Sequence, residues 1–209
     1  MTSYLIRNWI ERKWIISWAY GSGKFVLTQS CNYRLPEVIQ KHSARKPIMV
    51  FCMTRAMCIS TAKLLAQCFS TTKPADRMWP TPTIQFSFRD KDLHSTGACG
   101  VAFHHAGLDQ NDRALVERLF LEGHLSVICC TSTLAVGVNL PAHLVIIKNT
   151  ATWSNGGPKE YVDLEVMQML GRAGRPQFDD TGVAVIMTRR EHRDRYEKMV
   201  SGTEILESW

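Results

Sequence analysis

The chain has 209 residues, 45% of them hydrophobic, with 25 Lys and Arg against 19 Asp and Glu and hence a formal net charge of +6. Length and apolar content fit one domain with its own core plus a modest extension, and they exclude wholesale disorder. Purely apolar stretches run to about five residues, far below the ~20 of a membrane-spanning helix, so no membrane partner is expected. The basic balance admits a polyanionic partner without requiring one.

In chain order, residues 1–30 stand apart. Trp9, Trp14 and Trp18 alternate with Arg7, Glu11, Arg12 and Lys13, and Ile6, Ile10 and Trp14 would share one face of an amphipathic helix. Gly21-Ser22-Gly23-Lys24 imitates the end of a phosphate-binding loop. The full pattern needs a Gly where Trp18 stands and a hydroxyl where Phe25 stands, so the segment is read as a turn.

From about residue 31, short apolar runs alternate with helical stretches. Leu35, Val38 and Ile39 suggest a helix starting at Pro36. Residues 48–53 read as a buried strand ending at Thr54-Arg55, and 56–69 as a helix with Ile59, Ala62, Leu65 and Ala66 on one face. Residues 70–97, rich in Pro, Ser and Thr, read as a loop excursion. A strand is expected over 100–103, then a helix over 109–122 capped by Asp109 or Asn111. Strands follow at 125–130 and 144–147, a Gly-rich loop at 154–158, and a helix at 161–170. A strand at 183–188 and a helix at 190–200 close the series.

Uninterrupted apolar strands alternating with helices predict an α/β fold, a parallel sheet flanked by helices on both faces. Functional residues in such sheets gather past the carboxyl ends of strands. That expectation places Thr54-Arg55, His104-His105, Thr131-Ser132-Thr133 and the loop after Leu170 on one edge. Seven cysteines, at 31, 52, 58, 68, 99, 129 and 130, show no C-x-x-C spacing. They argue against a disulfide framework or zinc ribbon and for a reducing compartment.

Three constellations carry chemistry. In Gln168-Met169-Leu170-Gly171-Arg172-Ala173-Gly174-Arg175-Pro176, two arginines three apart leave a helix through a glycine-bearing turn. A guanidinium fork suits phosphate oxygens, although a solvated basic turn or structural ion pairs fit the charges equally. In 131–141 (TSTLAVGVNLP), hydroxyls and backbone amides follow a strand directly. That arrangement can hold a phosphate or simply cap a helix. In 103–108 (FHHAGL), adjacent histidines on a strand face opposite ways and cannot share an ion. One is expected to be buried and hydrogen-bonded, the other at the strand-edge surface, with no metal.

In this order the segments resemble the second motor lobe of a superfamily 2 helicase. VFCMTR (50–55) resembles motif IV, HHAGLDQNDR (104–113) the accessory motif after it, TSTLAVGVNLPAH (131–143) motif V and QMLGRAGRPQFD (168–179) motif VI. Gln168 and GVNLPAH point to the Ski-two-like group. The stretch from 164 to 189, with RYEKMVSGTEILES after it, is most similar to the meiotic crossover branch of ATP-dependent DNA helicases. The likeness covers residues 31–209 and leaves 1–30 as an unmatched extension.

The resemblance implies a RecA-like lobe that completes a nucleotide pocket together with a first lobe, in cis or in trans. Arg172 and Arg175 would then be arginine fingers, with Gln168 coupling the phosphates to the other lobe. Gly137, Asn139 and Gly171 would lie near the nucleotide, and Thr54, Arg55, Thr131 and Thr133 would grip the nucleic-acid backbone. ATP and Mg2+ are the implied cofactors. The implied partner is DNA, single-stranded or branched recombination intermediates, in the nucleus, with 3′-to-5′ movement. No P-loop and no DExH box occur in the 209 residues, so this chain alone is expected not to hydrolyse ATP and to be part of a longer helicase. The alternatives are a non-catalytic nucleic-acid-binding or regulatory module, or an RNA helicase lobe of the same group. A thiol or metal protein built on the cysteines is disfavoured by their scatter.

Overall fold

A computed structural model describes residues 11–19, 24–154, 157–175 and 178–201. Its strands are β1 (Glu11–Ala19), β2 (Ile48–Phe51), β3 (Val101–His104), β4 (Val127–Cys130), β5 (Leu144–Ile147), β6 (Ala151–Ser154), β7 (Gly157–Glu160) and β8 (Thr181–Arg189). Its helices are α1 (Lys24–His42), α2 (Arg55–Thr71), α3 (Lys91–Gly97), α4 (Gln110–Leu121), α5 (Thr133–Gly137), α6 (Asp163–Leu170) and α7 (Arg193–Ser201). Six strands form one sheet in the order β1-β8-β5-β2-β4-β3, every pairing parallel, while β6 and β7 make a separate antiparallel hairpin.

Three of the inner strands, β2, β4 and β5, read IMVF, VICC and LVII, and every residue in them is buried. That is the pattern of strands covered by helices on both faces. Each aliphatic side chain removed from water there contributes about 1.5–3 kcal/mol before the entropy of ordering is subtracted. Short polar caps start α2, α3 and α4. Thr54 Oγ1 accepts the Met57 N–H at 3.2 Å, Asp90 Oδ1 accepts Leu93 N–H at 2.9 Å, and Asp109 Oδ1 accepts Asn111 N–H at 2.9 Å.

The structure departs from the sequence reading in several places. Trp14 lies in β1, where backbone pairing with β8 over nine residues replaces the expected helix; Ile6 and Ile10 lie outside the described residues. Residues 21–23 of the expected turn also lie outside them, and Lys24 opens α1. That helix runs through Pro36 instead of starting there. The 70–97 excursion contains a 3-10 turn at Pro74–Asp76 and α3. Its backbone is tied down by the buried Asp112 carboxylate, which accepts N–H bonds from Arg89 (3.0 Å) and Asp90 (2.9 Å). The Gly-rich loop is part of the β6–β7 hairpin.

Parallel topology sets which residues can meet. A helix joining two parallel strands carries the chain from a carboxyl end back to an amino end. Residues 52–55, 105–109 and 131–133 therefore lie on the carboxyl edge. The loop after Leu170 does not, contrary to expectation. It packs at the amino ends of β5 and β8, where Gly174 N–H donates to Ala142 O at 2.7 Å and Ala142 N–H to Arg172 O at 3.0 Å. Gly182 permits this approach, because a Cβ there would stand 2.6 Å from Gly174 N. Beside it, the turn from Ser43 to Pro47 places Ala44 and Arg45 in the left-handed region (φ 48° and 59°) and is closed by Lys46 N–H to Ser43 O at 2.9 Å.

Candidate functional site

The segments containing Gly137 and Asn139 and those containing Gln168 and Arg172 face each other across a cleft between α5 and α6. Ser132, Thr133, Val136, Gly137, Glu165 and Gln168 line it, enclosing about 330 Å³. The chain leaves β4 at the carboxyl edge, passes through α5 and reaches β5 at its amino end. The cleft therefore runs down the side of the domain. Gly137 has nothing within 4 Å of where a Cβ would stand, so the cleft wall is open there. Gly171, the C-cap of α6, donates its N–H to Met167 O at 2.8 Å.

Arg172 ties the turn after α6 to α5 and to the segment that follows it. Its Nε donates to Ala135 O at 3.0 Å, Nη2 donates to the same carbonyl, and Nη1 donates to Asn139 Oδ1 at 2.9 Å. One guanidinium thus satisfies a carbonyl of α5 and fixes the Asn139 side chain. Arg175 points elsewhere. Its Nε donates to Asp179 Oδ2 at 2.7 Å and its Nη2 to Asp179 Oδ1 at 3.2 Å, a side-on bidentate pair. Phe178, itself exposed, lies over the guanidinium with the Arg175 Cζ 5.5 Å from the ring centroid.

Asp179 was not among the residues singled out from the sequence. Its carboxylate is fully buried, Lys46 Nζ approaches it at 2.9 Å, and His143 Nδ1 stands 3.7 Å away. Burial opposes its ionisation, but hydrogen bonds from Arg175 and Lys46 outweigh that and hold its pKa down at about 2. Burial likewise keeps His143 neutral by lowering its pKa, against the pull of Asp179. The sequence signal was an Arg and an Asp four apart in an otherwise basic turn.

On the carboxyl edge, Thr54 is committed to capping α2 while Arg55 is exposed beside it. Arg55 lies against the 105–108 turn, its Nη1 3.1 Å from where a Gly107 Cβ would stand. Thr131 and Thr133 share a hydroxyl–hydroxyl bond of 2.9 Å. Two threonines and one arginine thus present polar groups along this rim, away from Arg172 and Arg175.

His104 is the buried, hydrogen-bonded histidine, with Nε2 2.8 Å from Glu117 Oε1; burial lowers its pKa more than Glu117 raises it. His105 corrects the expectation of a surface position. It is 6% exposed, stacked on Phe103 at 5.7 Å, with Gly107 N–H donating to Nδ1 at 3.2 Å. The turn folds over its own ring. Burial, with the nearby Arg55 charge, lowers the His105 pKa. Among the described residues no group of three His, Cys, Asp or Glu side chains is gathered for a metal ion. The seven thiols are free, and Cys31, Cys52, Cys58, Cys129 and Cys130 are buried. A larger cavity of about 590 Å³, formed largely by the excursion between residues 82–87 and 94–98, is lined by none of the motif residues.

A parallel sheet flanked by helices, with one polar rim and a side cleft between α5 and α6, defines an α/β RecA-like lobe. The conserved C-terminal domain of helicases matches residues 31–177, and the chain belongs to that family. It is 49% identical over 177 residues to the ATP-dependent DNA helicase MER3 of Saccharomyces cerevisiae, covering 85% of this chain and 14% of that protein. It is 44% identical over 185 residues to the human protein named "Probable ATP-dependent DNA helicase HFM1", covering 88% of this chain and 13% of the relative. A similarity of 42% over 174 residues extends to human activating signal cointegrator 1 complex subunit 3, covering 78% of this chain and 8% of that protein. The chain thus spans about one seventh of the length of its helicase relatives.

Proposed function

We propose that this chain is the second motor lobe of an ATP-dependent DNA helicase of the meiotic crossover type, moving 3′ to 5′ in the nucleus. Its DNA would be single-stranded or a branched recombination intermediate. The lobe is read as residues 31–209, with the family pattern beginning after 1–30, although β1 (Glu11–Ala19) and the start of α1 join the same fold. One observation supports this reading: Gln168 and Gly137 line one open lateral cleft, and Arg172, bonded to Ala135 and Asn139, ties the turn that carries Arg175 to that same segment, where a neighbouring lobe could supply the opposite wall.

The donor set of that face suits ATP phosphates. Arg175 has no partner at Nη1 among the described residues, and Gln168 lines an open cleft. It suits Mg2+ poorly, since the cleft offers only the Glu165 carboxylate, which already accepts the Val162 N–H at 3.2 Å. The metal therefore belongs to the first lobe. Bound ATP supplies the phosphoryl group whose transfer to water drives movement. Arg175 places permanent positive charge where charge develops during that transfer, an effect worth ~10³–10⁵ in rate. Arg172 keeps Asn139 and the 133–137 helix in register with Arg175. Gly171 lets α6 end where the arginines begin. Thr54, Arg55, Thr131 and Thr133 would hold the nucleic-acid backbone without reading its sequence.

The test mixes this chain with a matched first lobe carrying the P-loop and DExH box. ATP hydrolysis stimulated by single-stranded DNA is expected in the mixture and in neither part alone. Hydrolysis by this chain alone, or a mixture indifferent to Arg175→Ala, overturns the reading.

A further inference from the structure

The Arg175 guanidinium has two edges for hydrogen bonding. The side edge, Nε with Nη2, is fully taken by Asp179. The end bearing Nη1 has no partner among the described residues, and Phe178 covers one face of the group. An arginine with a free end would otherwise sweep several rotamers, and ordering it costs entropy at every turnover. Asp179 is suited to remove that freedom. Its carboxylate is fully buried, and it is fixed from a second direction by Lys46, carried on the strained 43–47 turn. The carboxylate therefore cannot follow the arginine, and the arginine must stay with the carboxylate.

We propose that Asp179 is the positioning residue for Arg175. It holds the side edge of the guanidinium so that the Nη1 end is presented, preformed, to the phosphate of a nucleotide bound by the neighbouring lobe. This rests on the proposed role of Arg175 and adds to it. The buried carboxylate aligns the finger and does not touch the nucleotide. A group already aligned contributes in the transition state without reorganisation, and small misplacements cost rate steeply.

The experiment uses the two-lobe mixture with Asp179→Asn, Arg175→Ala, the double variant and Asp112→Asn. Asp112, also a buried carboxylate but held by the backbone amides of Arg89 and Asp90, serves as the control for loss of a buried carboxylate. Asp179→Asn keeps the shape but loses the charge and half of the fork. Its expected kcat is roughly 10–100-fold lower, with KM for ATP within about twofold. The double variant is expected to be no slower than Arg175→Ala. Asp112→Asn should lose a similar span of thermal stability and keep its kcat.

In this chain alone, the Arg175 Nε–Hε resonance should exchange slowly with water, and at least tenfold faster in Asp179→Asn. Unchanged kcat in Asp179→Asn beside a crippled Arg175→Ala overturns the inference and leaves the finger standing. Equal kcat losses in Asp112→Asn and Asp179→Asn also overturn it, since stability then explains both. An Arg175→Ala mixture with full activity sinks the finger itself. Slow exchange that persists in Asp179→Asn rejects the clamp whatever the mixture does.

Discussion

Arg172 and Arg175 leave the same turn three residues apart and are held in opposite ways. Arg172 gives its donors to neutral oxygens, the Ala135 carbonyl and the Asn139 side chain, and so binds one functional segment to another. Arg175 gives its donors to a buried carboxylate that also holds Lys46. The first region is a coupling between loops, and the second is a charged cluster anchored in the domain. Identical side chains in one motif can thus do different physical work. Partner chemistry decides which, and motif spacing does not reveal it.

The largest effect should separate the arginines by activity. In the two-lobe mixture, Arg175→Ala is expected to lower ATP hydrolysis about 10³-fold with little change in single-stranded DNA affinity. Arg172→Ala should lower both, because the 131–139 segment loses its brace. Matching losses of both properties in the two variants would erase the distinction.

Stability gives the next test. Asp179→Ala leaves Arg175 and Lys46 facing a buried site without a counter-charge and is expected to cost about 3 kcal/mol in urea unfolding. Gly182→Ala drives a methyl into the backbone of Ala173 and Gly174, expected at about 2 kcal/mol, and it should disturb both arginines together. Acid titration isolates the charged cluster. Asp179 falls from an ordinary 3.8 to about 2 in the folded state, so its contribution is complete above about pH 4 and disappears as pH falls through 2. That contribution is about 2 kcal/mol and should vanish from the stability–pH curve of Asp179→Asn. The smallest effect belongs to the neutral brace. Asn139→Ala removes one of three Arg172 bonds and should cost about 1 kcal/mol by the same unfolding measurement.

The fold was legible wherever burial on both faces wrote an apolar run. Leu144–Ile147 is the strand expected, and the helix after Asp109 is capped as expected. It was illegible where pairing, not composition, makes the strand. Glu11–Ala19 mixes charges with tryptophans and is a strand because β8 lies beside it. Trp153 and Pro158 belong to a hairpin whose sequence reads as a loop. Site residues were legible by type and not by place. Gln168, Gly137 and Arg172 do converge, but the 171–175 turn lies at the amino ends of the strands, since α6 must carry the chain back across the sheet. Asp179 escaped because its second partner, Lys46, lies more than a hundred positions away, and the four-residue spacing to Arg175 does not report that contact or the burial it brings.

The pairing of β1 with β8 has a consequence for biosynthesis. The strand at Glu11–Ala19 is made about 160 residues before its partner, which begins only at Thr181. At ~5–20 residues per second, the ribosome takes about 10–30 s to deliver that partner. For that interval the nascent chain carries a tryptophan-bearing segment with nothing to dock on. A chaperone that shields this segment as it emerges would therefore raise the yield of this protein more than one that acts after release.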